Sequence, residues 1–323
     1  MCTAISVKVN DHYFGRNLDY EHTFGEKITV TPRNYLFKFI NGSEIKQHYS
    51  IIGMALPCGG YPLYFDATNE AGLSMAGLNF PDNAVYMKSL VGRDNIAAYE
   101  FIPWILSQCK SVPESRHLLE KINITDHPFS ENMPPTPLHW IIADRDSSVT
   151  VEQTKCGLNI YENPVGVLTN NPEFNIQLFN LANYMNVSSS EPVNRFSDKI
   201  NLQPYSRGMG GIGIPGDISS MSRFVRATFV KLNSIYGETE KEAVNQFFHV
   251  LYSVYQQKGC AQVNDMYEVT NYTSCCNTDR GIYYYTTYNN STVNAVDMHR
   301  ENLDGDEIVA YAPLESEEFN FVN

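Results

Sequence analysis

The second residue of the chain, Cys2, is the side chain whose position most directly suggests chemistry. Cysteine is small enough for an initiator methionine before it to be removed, and the chain would then begin with a thiol and a free α-amine on one residue. An α-amine has a pKa of about 7.7 to 8.0, so roughly a tenth of it is neutral at pH 7 and can accept a proton. Such a residue carries a nucleophile and its own base. A cysteine at position two can also be incidental, so the interpretation depends on its neighbours.

Two charged residues follow Cys2 closely enough to act on it. A turn at 10–11 separates two strand-like segments at the start of the chain, and a hairpin there would return residues 14–20 to the N-terminus. Arg16 could then stabilise a thiolate, and Asp19 could hold the α-amine through a charge-assisted hydrogen bond. An exposed Arg16–Asp19 ion pair, which would contribute little to stability, fits the same spacing equally well.

Two other patterns lack the context that a cofactor or metal site needs. The segment 208–213 fits GxGxxG, but Ser206 and Arg207 precede it where a parallel strand is required, and Pro215 follows it where a helix should open. It predicts a loop rather than a dinucleotide site. The eight histidines contain no i, i+4 pair and no HExxH motif, so the sequence predicts no metal site.

Charge and cysteine content narrow the possible partners and compartment. The chain has 36 acidic and 23 basic residues, and its net charge of −13 disfavours nucleic acid or anionic membranes as partners. No apolar run reaches the ~18 residues of a membrane span, and the N-terminus lacks the basic and apolar regions of a signal peptide. The seven cysteines form no CxxC pair, so we expect reduced thiols and a cytoplasmic location.

Hydrophobic periodicity predicts alternating strands and helices with no linker or internal repeat. Four short strands separated by turn residues, typical of an antiparallel meander, are expected over 139–143, 149–153, 158–161 and 165–169. A hairpin is expected over 281–298. Apolar spacings of three and four, with two capping boxes, predict helices over 95–109 with a kink at Pro103, and over 111–121, 172–185, 219–236 and 239–255. These elements indicate a layered sheet-and-helix domain.

Several longer segments together resemble one protein family. They are MCTAI at 1–5, FGRNLDY at 14–20, NEAGLSMAGLNFP at 69–81, PLHW at 137–140, VEQT at 151–154, VGVLTNNPEF at 165–174 and YSRGMGGIGIPGDISSMSRFVRATF at 205–229. With further matches toward the C-terminus, the chain resembles the choloylglycine hydrolase family over essentially its whole length. Within that family it resembles the bile salt hydrolases of intestinal Gram-positive bacteria, with the penicillin V acylases as a sister group.

The resemblance implies an α+β fold, the four-layer αββα fold of N-terminal-nucleophile hydrolases, in which two stacked antiparallel sheets lie between helix layers. It implies a single domain over residues 1–323 and assembly into a homotetramer. It also implies that the reaction requires no metal and no cofactor. Some family members carry a pro-segment before the cysteine, whereas here we expect removal of Met1 to suffice.

The resemblance assigns catalytic roles to six residues of this sequence. Those that match the nucleophile and the groups acting on it are Cys2, Arg16, Asp19 and Arg223, the last rather than Arg226. Those that match the two oxyanion contributors are Asn79 and Asn170, rather than the neighbouring Asn171. For an apolar steroid pocket, the residues in matching loops are Leu18, Phe24, Phe65, Phe129 and Met133.

The implied reaction is hydrolysis of the amide bond between a bile acid and glycine or taurine through a thioester on Cys2. Penicillin V acylase is the alternative within the family. Asn79 favours the bile salt substrates, because the penicillin acylases of this family often carry Tyr at that place. A non-catalytic steroid-binding protein of the same fold is a further alternative, which an assay of turnover would distinguish.

Overall fold

Strands make up most of the regular structure of the protein. The computed structural model describes residues 1–323. The strands are β1 (Cys2–Lys8), β2 (His12–Tyr20), β3 (Lys27–Thr31), β4 (Phe37–Lys38), β5 (Glu44–Ile45), β6 (Ile51–Cys58), β7 (Tyr61–Asn69), β8 (Ser74–Asn79), β9 (Asp94–Ala97), β10 (Ile122–Thr125), β11 (Leu138–Ala143), β12 (Ser148–Thr154), β13 (Gly157–Glu162), β14 (Val167–Leu168), β15 (Gln262–Val263), β16 (Met266–Tyr267), β17 (Val269–Asn277), β18 (Ile282–Thr287), β19 (Asn290–Asp297) and β20 (Val309–Tyr311). The α-helices are α1 (Phe101–Gln108), α2 (Val112–Leu119), α3 (Phe174–Asn180), α4 (Ser220–Asn233) and α5 (Glu240–Tyr252).

Two large sheets contain most of these strands. The first has six strands in the order β14-β1-β2-β17-β18-β19, and the second has eight in the order β13-β12-β11-β8-β7-β6-β3-β20. Neighbouring strands within both sheets run antiparallel. The hairpin predicted at the N-terminus is therefore present as β1–β2, and the hairpin predicted over 281–298 is present as β18–β19.

The sheets stack face to face and each carries helices on its other face. One apolar cluster joins the two sheets and includes side chains of α4 and α5, and a second joins the eight-stranded sheet to α1 and α2. Consecutive residues of one strand enter different clusters: Ile141 lies in the first and Ile142 in the second. This alternation is the period of two that a strand buried on both faces requires. The predicted αββα layering is confirmed.

One strand of the predicted meander belongs to the other sheet, and this places a candidate site residue. The first three predicted strands are present as β11, β12 and β13. The fourth, predicted over 165–169, is β14, which pairs with β1 in the register Ala4↔Leu168. The turn before it is closed by a hydrogen bond from the Gly166 N–H to the Asn163 carbonyl oxygen. The prediction of one continuous meander was wrong, because the turn residues mark where a strand ends and not which sheet it enters.

The helix predicted over 95–109 begins later than its periodicity indicated. Residues Asp94–Ala97 form β9, which pairs in parallel with β10, and a turn of 3₁₀-helix over Ala98–Glu100 leads into α1. Pro103 is the third residue of α1 and lies in its first turn, where a missing N–H is tolerated. The other helices fall within their predicted ranges, and the Thr239–Glu242 capping box at α5 is confirmed. No helix of the protein has both the length and the apolar character needed to cross a membrane.

Candidate active site

Cys2 is the first residue of β1 and is buried at the interface of the two sheets, with 3% of its surface exposed. The antiparallel register of β1 and β2 pairs Cys2 with Leu18. Continued by one residue, the same register sets Met1 opposite Asp19. The register of β1 and β14, continued by two residues from Ala4↔Leu168, sets Asn170 on the other side of Cys2. Strand pairing alone therefore brings candidate residues to both sides of the thiol.

Met1 directly precedes β1 and carries the free α-amine of the chain. Its amine donates to the Asp19 carbonyl oxygen at 2.8 Å, and the Asp19 N–H donates to the Met1 carbonyl oxygen at 3.0 Å. The amine also forms an ion pair with the buried carboxylate of Glu268. Burial lowers the pKa of this α-ammonium below its ordinary value. While Met1 is attached, the nitrogen of Cys2 is a peptide N–H and cannot act as a base.

The carboxylate of Asp19 is fully buried and only half satisfied. Its Oδ1 accepts a hydrogen bond of 2.6 Å from the Thr270 hydroxyl, whereas Oδ2 has no hydrogen-bond donor. The Oδ2 atom lies 4.0 Å from Nη1 of Arg223. Burial raises the pKa of Asp19, against the opposing effects of Arg223, the nearby amine and the Thr270 hydroxyl. One carboxylate oxygen is thus available to a further donor.

Arg223 projects from α4 into the sheet and binds Cys2, Thr3 and Asn170. Its Nη1 donates to the Cys2 carbonyl oxygen at 2.5 Å and to the Thr3 hydroxyl at 2.7 Å, and its Nη2 donates to Asn170 Oδ1 at 2.7 Å. The side chain is fully buried. Arg226, one turn further along the helix, donates instead to the carbonyl oxygens of Pro215 and Gly216. Of the two arginines, only Arg223 contacts Cys2.

Arg16 is also fully buried, so it does not form an exposed ion pair with Asp19. Its Nη1 donates to the carbonyl oxygens of Phe65 and Gly77, at 3.1 and 2.6 Å, and its Nη2 has no partner. Burial alone would lower the pKa of Arg16. The nearby Cys2 thiol and acidic side chains outweigh that effect and raise the pKa above its ordinary value. The guanidinium is therefore a permanent positive charge with one free donor group.

The two candidate oxyanion residues contact each other. Asn79 ends β8, and its carbonyl oxygen accepts a 2.7 Å hydrogen bond from Nδ2 of Asn170. The Oδ1 atom of Asn170 accepts from the Cys2 N–H at 2.8 Å. Asn171 points elsewhere, because its amide donates to the Pro81 carbonyl oxygen and to Asn83. The orientation of Asn170 is thus set by Cys2, Arg223 and Asn79 together.

The five candidate pocket residues divide into two groups. Leu18 is the β-pair partner of Cys2, and the rings of Phe24 and Phe65 lie 5.5 Å apart beside the same apolar cluster. Phe65 sits where the register of β7 against β6 is interrupted, and its carbonyl oxygen accepts from Arg16. Phe129 and Met133 lie on another loop, where the Phe129 N–H donates to the Met133 carbonyl oxygen.

Phe129 packs against aromatic rings at the edge of the second cluster rather than on Phe24 or Phe65. Its ring centroid lies 5.1 Å from that of Tyr99 and 6.1 Å from that of Tyr61. The structure thus places Leu18, Phe24 and Phe65 at the apolar cluster that contains Cys2, and Phe129 with Met133 on a loop that packs on Tyr61 and Tyr99.

Two residues that contact the site were not identified from the sequence. Thr270, which donates to Asp19, and Glu268, which pairs with the amine, both come from the start of β17 or the residue before it. They reach the site because β17 inserts beside β2 in the six-stranded sheet. No local sequence pattern predicts that these residues contact a strand some 250 residues earlier in the chain. No group of three or more His, Cys, Asp or Glu side chains is placed to hold a metal ion.

Comparison with known proteins gives consistent matches over the whole chain. Residues 2–311 match the family model described as linear amide C–N hydrolases, choloylglycine hydrolase family. The chain is 52% identical to a bile salt hydrolase/transferase of Lactiplantibacillus plantarum, with 98% of each chain covered. Its structure is similar to a crystal structure of a variant conjugated bile acid hydrolase from Clostridium perfringens, with a TM-score of 0.92, 38% identity and full coverage of both chains. It shares its fold with a penicillin V acylase from Agrobacterium tumefaciens, with a TM-score of 0.77, 20% identity, and 97% and 91% coverage.

Proposed function

The chain belongs to the choloylglycine hydrolase family of linear amide C–N hydrolases, and on this basis we propose that it hydrolyses the amide bond joining a bile acid to glycine or taurine. The observation that carries the proposal is the surroundings of Cys2. A buried thiol at the start of β1 pairs with the strand β2, which carries a permanent cation, Arg16, and a half-satisfied carboxylate, Asp19. The relative of 52% identity is named for bile salt hydrolysis, which supports this class of substrate.

Removal of Met1 would supply the base that the proposed reaction needs. It leaves the Cys2 nitrogen as a free α-amine, still within reach of Asn170 Oδ1, and adds donors beside the unpaired Oδ2 of Asp19. The amine then takes the thiol proton as the thiolate attacks the amide carbonyl carbon. Arg16 stabilises the thiolate through its positive charge and its free Nη2.

The tetrahedral intermediate needs donors for its oxygen, and Asn79 and Asn170 would supply them. The Asn170 amide carries two hydrogens, of which one is used on the Asn79 carbonyl oxygen, so one remains. A donor of this kind contributes roughly 10²- to 10³-fold in rate. The α-ammonium then gives its proton to the leaving amine, which departs as glycine or taurine. Water attacks the remaining thioester with the amine again as base, and the bile acid is released.

The apolar wall formed by Leu18, Phe24 and Phe65 is the surface that would receive the steroid. Leu18 is the strand partner of Cys2, and the half-buried rings of Phe24 and Phe65 pack against the same apolar cluster, as a pocket for an apolar ligand requires. Phe129 and Met133, on their separate loop, would meet only the far end of a bound substrate. Of the candidate pocket residues, the first three should therefore affect substrate binding most.

The proposal extends to assembly and location. We propose a homotetramer, which is supported by exposed apolar side chains in the segment 185–212, among them Met185, Phe196 and Tyr205. We also propose a cytoplasmic location. All seven cysteines are free, and two of them, Cys156 and Cys260, are exposed thiols that suit a reducing compartment.

The experiment that tests the function is deconjugation by the purified protein. Incubation with glycocholate or taurocholate should release glycine or taurine in equal amount to free cholate. Acid quenching during turnover should trap the cholyl thioester on the N-terminal peptide, detected by its mass. Cys2→Ala protein should give neither product. Absence of amino acid release by correctly trimmed wild-type protein would contradict the proposal.

A further inference from the structure

A second pair of titratable side chains lies next to the candidate oxyanion site, fully buried and without a role so far. His139 on β11 and Glu152 on the neighbouring strand β12 have no exposed surface. The Nδ1 atom of His139 lies 3.0 Å from Oε1 of Glu152. On its other side, Nε2 lies 3.0 Å from the carbonyl oxygen of Thr169. A buried polar pair of this kind is costly unless its hydrogen bonds are satisfied.

The partners of His139 determine how many protons the pair holds. A carbonyl oxygen can only accept, so Nε2 must carry a hydrogen that it donates to Thr169. The contact between Nδ1 and Glu152 needs a second hydrogen, because neither a bare carboxylate nor a bare ring nitrogen can donate. The pair therefore shares one hydrogen between Nδ1 and Oε1, in addition to the hydrogen on Nε2. Glu152 Oε1 also accepts from the Phe174 N–H at 3.0 Å, and its Oε2 is buried without a hydrogen-bond partner.

His139 connects the two candidate oxyanion residues. The carbonyl group that it binds belongs to Thr169, the residue before Asn170. Its ring is stacked on Phe80, the residue after Asn79, with centroids 4.2 Å apart and ring planes 5° from parallel. The hydrogen bonds at the ring nitrogens and the stacking of the ring face on Phe80 fix the orientation of the His139 imidazole. The backbone segments that contain Thr169 and Phe80 are therefore both held against one rigid group.

A buried glutamine completes the support of Asn170. The Oε1 atom of Gln177 accepts from the Thr169 hydroxyl at 2.7 Å, and its Nε2 donates to the carbonyl oxygens of Asn170 and Pro172, at 2.5 and 2.9 Å. Gln177 belongs to α3, the helix that begins at Phe174, whose N–H donates to Glu152. The segment that carries Asn170 is thus held by side chains from β11, β12 and α3.

We propose that His139 and Glu152 form a proton-bearing pair that positions Asn79 and Asn170 for binding of the oxyanion. The inference rests on the proposed function for its catalytic consequence, and on the contacts above for its geometry. Neither side chain is expected to touch the substrate. Their effect is exerted through the Thr169 carbonyl group, the Phe80 ring and the Phe174 N–H. We therefore regard them as positioning residues for the transition state rather than for the bound substrate.

The central experiment replaces His139 and a matched control histidine. In His139→Asn, kcat should fall by about 10²-fold, the cost expected from misplacing one oxyanion donor, while KM changes by less than about twofold. His12 is a suitable control because it is equally buried and hydrogen-bonded on both ring nitrogens, to Ser6 and Thr278, yet lies away from Asn170. His12→Asn should lower the melting temperature comparably and retain kcat.

Two variants of Glu152 separate the loss of the carboxyl group from the loss of its size and acceptor oxygen. Glu152→Gln retains an oxygen that can accept from Phe174, so its kcat should lie well above that of Glu152→Ala. In His-selective ¹⁵N spectra of the wild type, the His139 signals should report a hydrogen on Nε2, the nitrogen that faces the Thr169 carbonyl oxygen. A ring without a hydrogen on Nε2 would overturn the proton assignment. An equal loss of kcat in the His139 and His12 variants would overturn the positioning role.

A readout without substrate distinguishes this inference from the proposed function. The Asn170 side-chain amide hydrogens should exchange slowly with solvent in wild-type and His12→Asn protein, and at least about tenfold faster in His139→Asn protein, because exchange requires local opening. If wild-type protein released no glycine or taurine, the proposed function would fail while slow exchange still supported the pair. If exchange were equal in all three proteins, the positioning role would fail, whatever the substrate.

Discussion

Asp19 Oδ2 lies 4.0 Å from Arg223 Nη1, and both side chains are wholly buried, yet no hydrogen bond joins them. At this distance the Asp19 carboxylate is attracted to the charge of Arg223, but its Oδ2 atom accepts no hydrogen bond. An α-amine at Cys2 would have three hydrogens when protonated and would reach this region once Met1 is gone. We infer that Asp19 and Arg223 together form the binding position of the catalytic amine. Their opposite charges would limit the change in local electrostatic energy when the amine gains or loses a proton.

Active protein should begin at Cys2. The Met1 amine is occupied by Glu268 and by the Asp19 carbonyl oxygen, and the Cys2 nitrogen is a peptide N–H in that state, so no base adjoins the thiol. The intact mass of active protein should be lower by one methionine residue. A preparation enriched in the Met1 form should be inactive until an aminopeptidase removes that residue. Full activity with Met1 retained would contradict the internal-base mechanism.

Replacing Cys2 should abolish turnover without unfolding the protein. Cys2→Ala and Cys2→Ser should each lower kcat by at least about 10³-fold, since Ala removes the proposed nucleophile and Ser replaces the thiol by a hydroxyl of much higher pKa. Cys275 and Cys276 provide controls on β17. Burial raises the pKa of Cys276 to about 12 and that of Cys275 well above its ordinary value, so neither forms thiolate near neutral pH. Cys276→Ser should keep most of the activity; if it loses activity and Cys2→Ala does not, the nucleophile lies elsewhere.

Asp19→Asn should reduce kcat far more than it changes KM. The amide has the shape of the carboxylate and can keep the Thr270 hydrogen bond, but it lacks the charge that orients an ammonium. General-base catalysis contributes roughly 10²- to 10⁴-fold, so a fall in kcat of about 10²-fold is expected. Thr270→Val, which removes only the donor to Asp19, should have a smaller effect of the same kind. A change confined to KM in steady-state assays would place Asp19 in the substrate pocket instead.

Protein stability should fall between about pH 4.5 and pH 7 because of Glu100. Burial raises the pKa of this carboxyl group from 4.5 to about 7, although two backbone N–H groups, of Ala97 and Ile40, oppose the shift. Within this window the folded protein keeps a proton that the unfolded chain has released, so the free energy of unfolding decreases as pH rises and levels off above 7. The loss is at most about 3 kcal/mol.

Urea unfolding at several pH values measures this effect. In Glu100→Gln the neutral amide cannot titrate, so the difference in unfolding free energy between pH 5 and pH 8 should shrink relative to the wild type. Identical pH profiles of the two proteins would show that Glu100 does not contribute.

The parts of the site that adjoin in sequence could be predicted, and those brought by distant strands could not. The 10–11 turn and the alternation around it predict the hairpin that sets Asp19 beside the N-terminus. Thr270 and Glu268 enter through the pairing of β17 with β2, and the sequence contains no local mark of that choice. Many pairings would satisfy the same alternation of apolar residues, and the one that forms depends on the packing of the whole sheet.

The contact between His139 and Glu152 also could not be predicted from the sequence. Each residue stands in a segment that resembles the family, PLHW and VEQT, but resemblance marks a segment and not the contact between two side chains. Seen alone, His139 has no metal-like spacing and is one of eight histidines. Its position between a carboxylate and a carbonyl oxygen arises only when β11 and β12 pair and β14 crosses to the other sheet.

Substrate choice should favour conjugated bile salts strongly over penicillin V. The bond broken is an amide in each case, so Cys2 and the oxyanion donors cannot discriminate among these substrates. The acyl group must do so, through the apolar wall of Leu18, Phe24 and Phe65. A steroid presents much more apolar area than a phenoxyacetyl group, and each ~40 Å² of additional burial contributes roughly 1 kcal/mol. One such increment retained in the transition state gives several-fold in kcat/KM.

Asn79→Tyr tests the space beside the oxyanion. The contact from Asn170 to residue 79 uses the backbone carbonyl oxygen, so it can survive the substitution, whereas the side-chain amide and the open space are lost. We expect kcat/KM for glycocholate to fall by at least about tenfold, because an oxyanion donor is removed and a bulky ring is added. Activity on penicillin V need not appear, since the same donor would serve that substrate. Release of glycine, taurine and phenoxyacetate should be measured side by side for both proteins. If the wild type showed the higher kcat/KM for penicillin V, the bile salt assignment would be wrong, while the mechanism at Cys2 would remain.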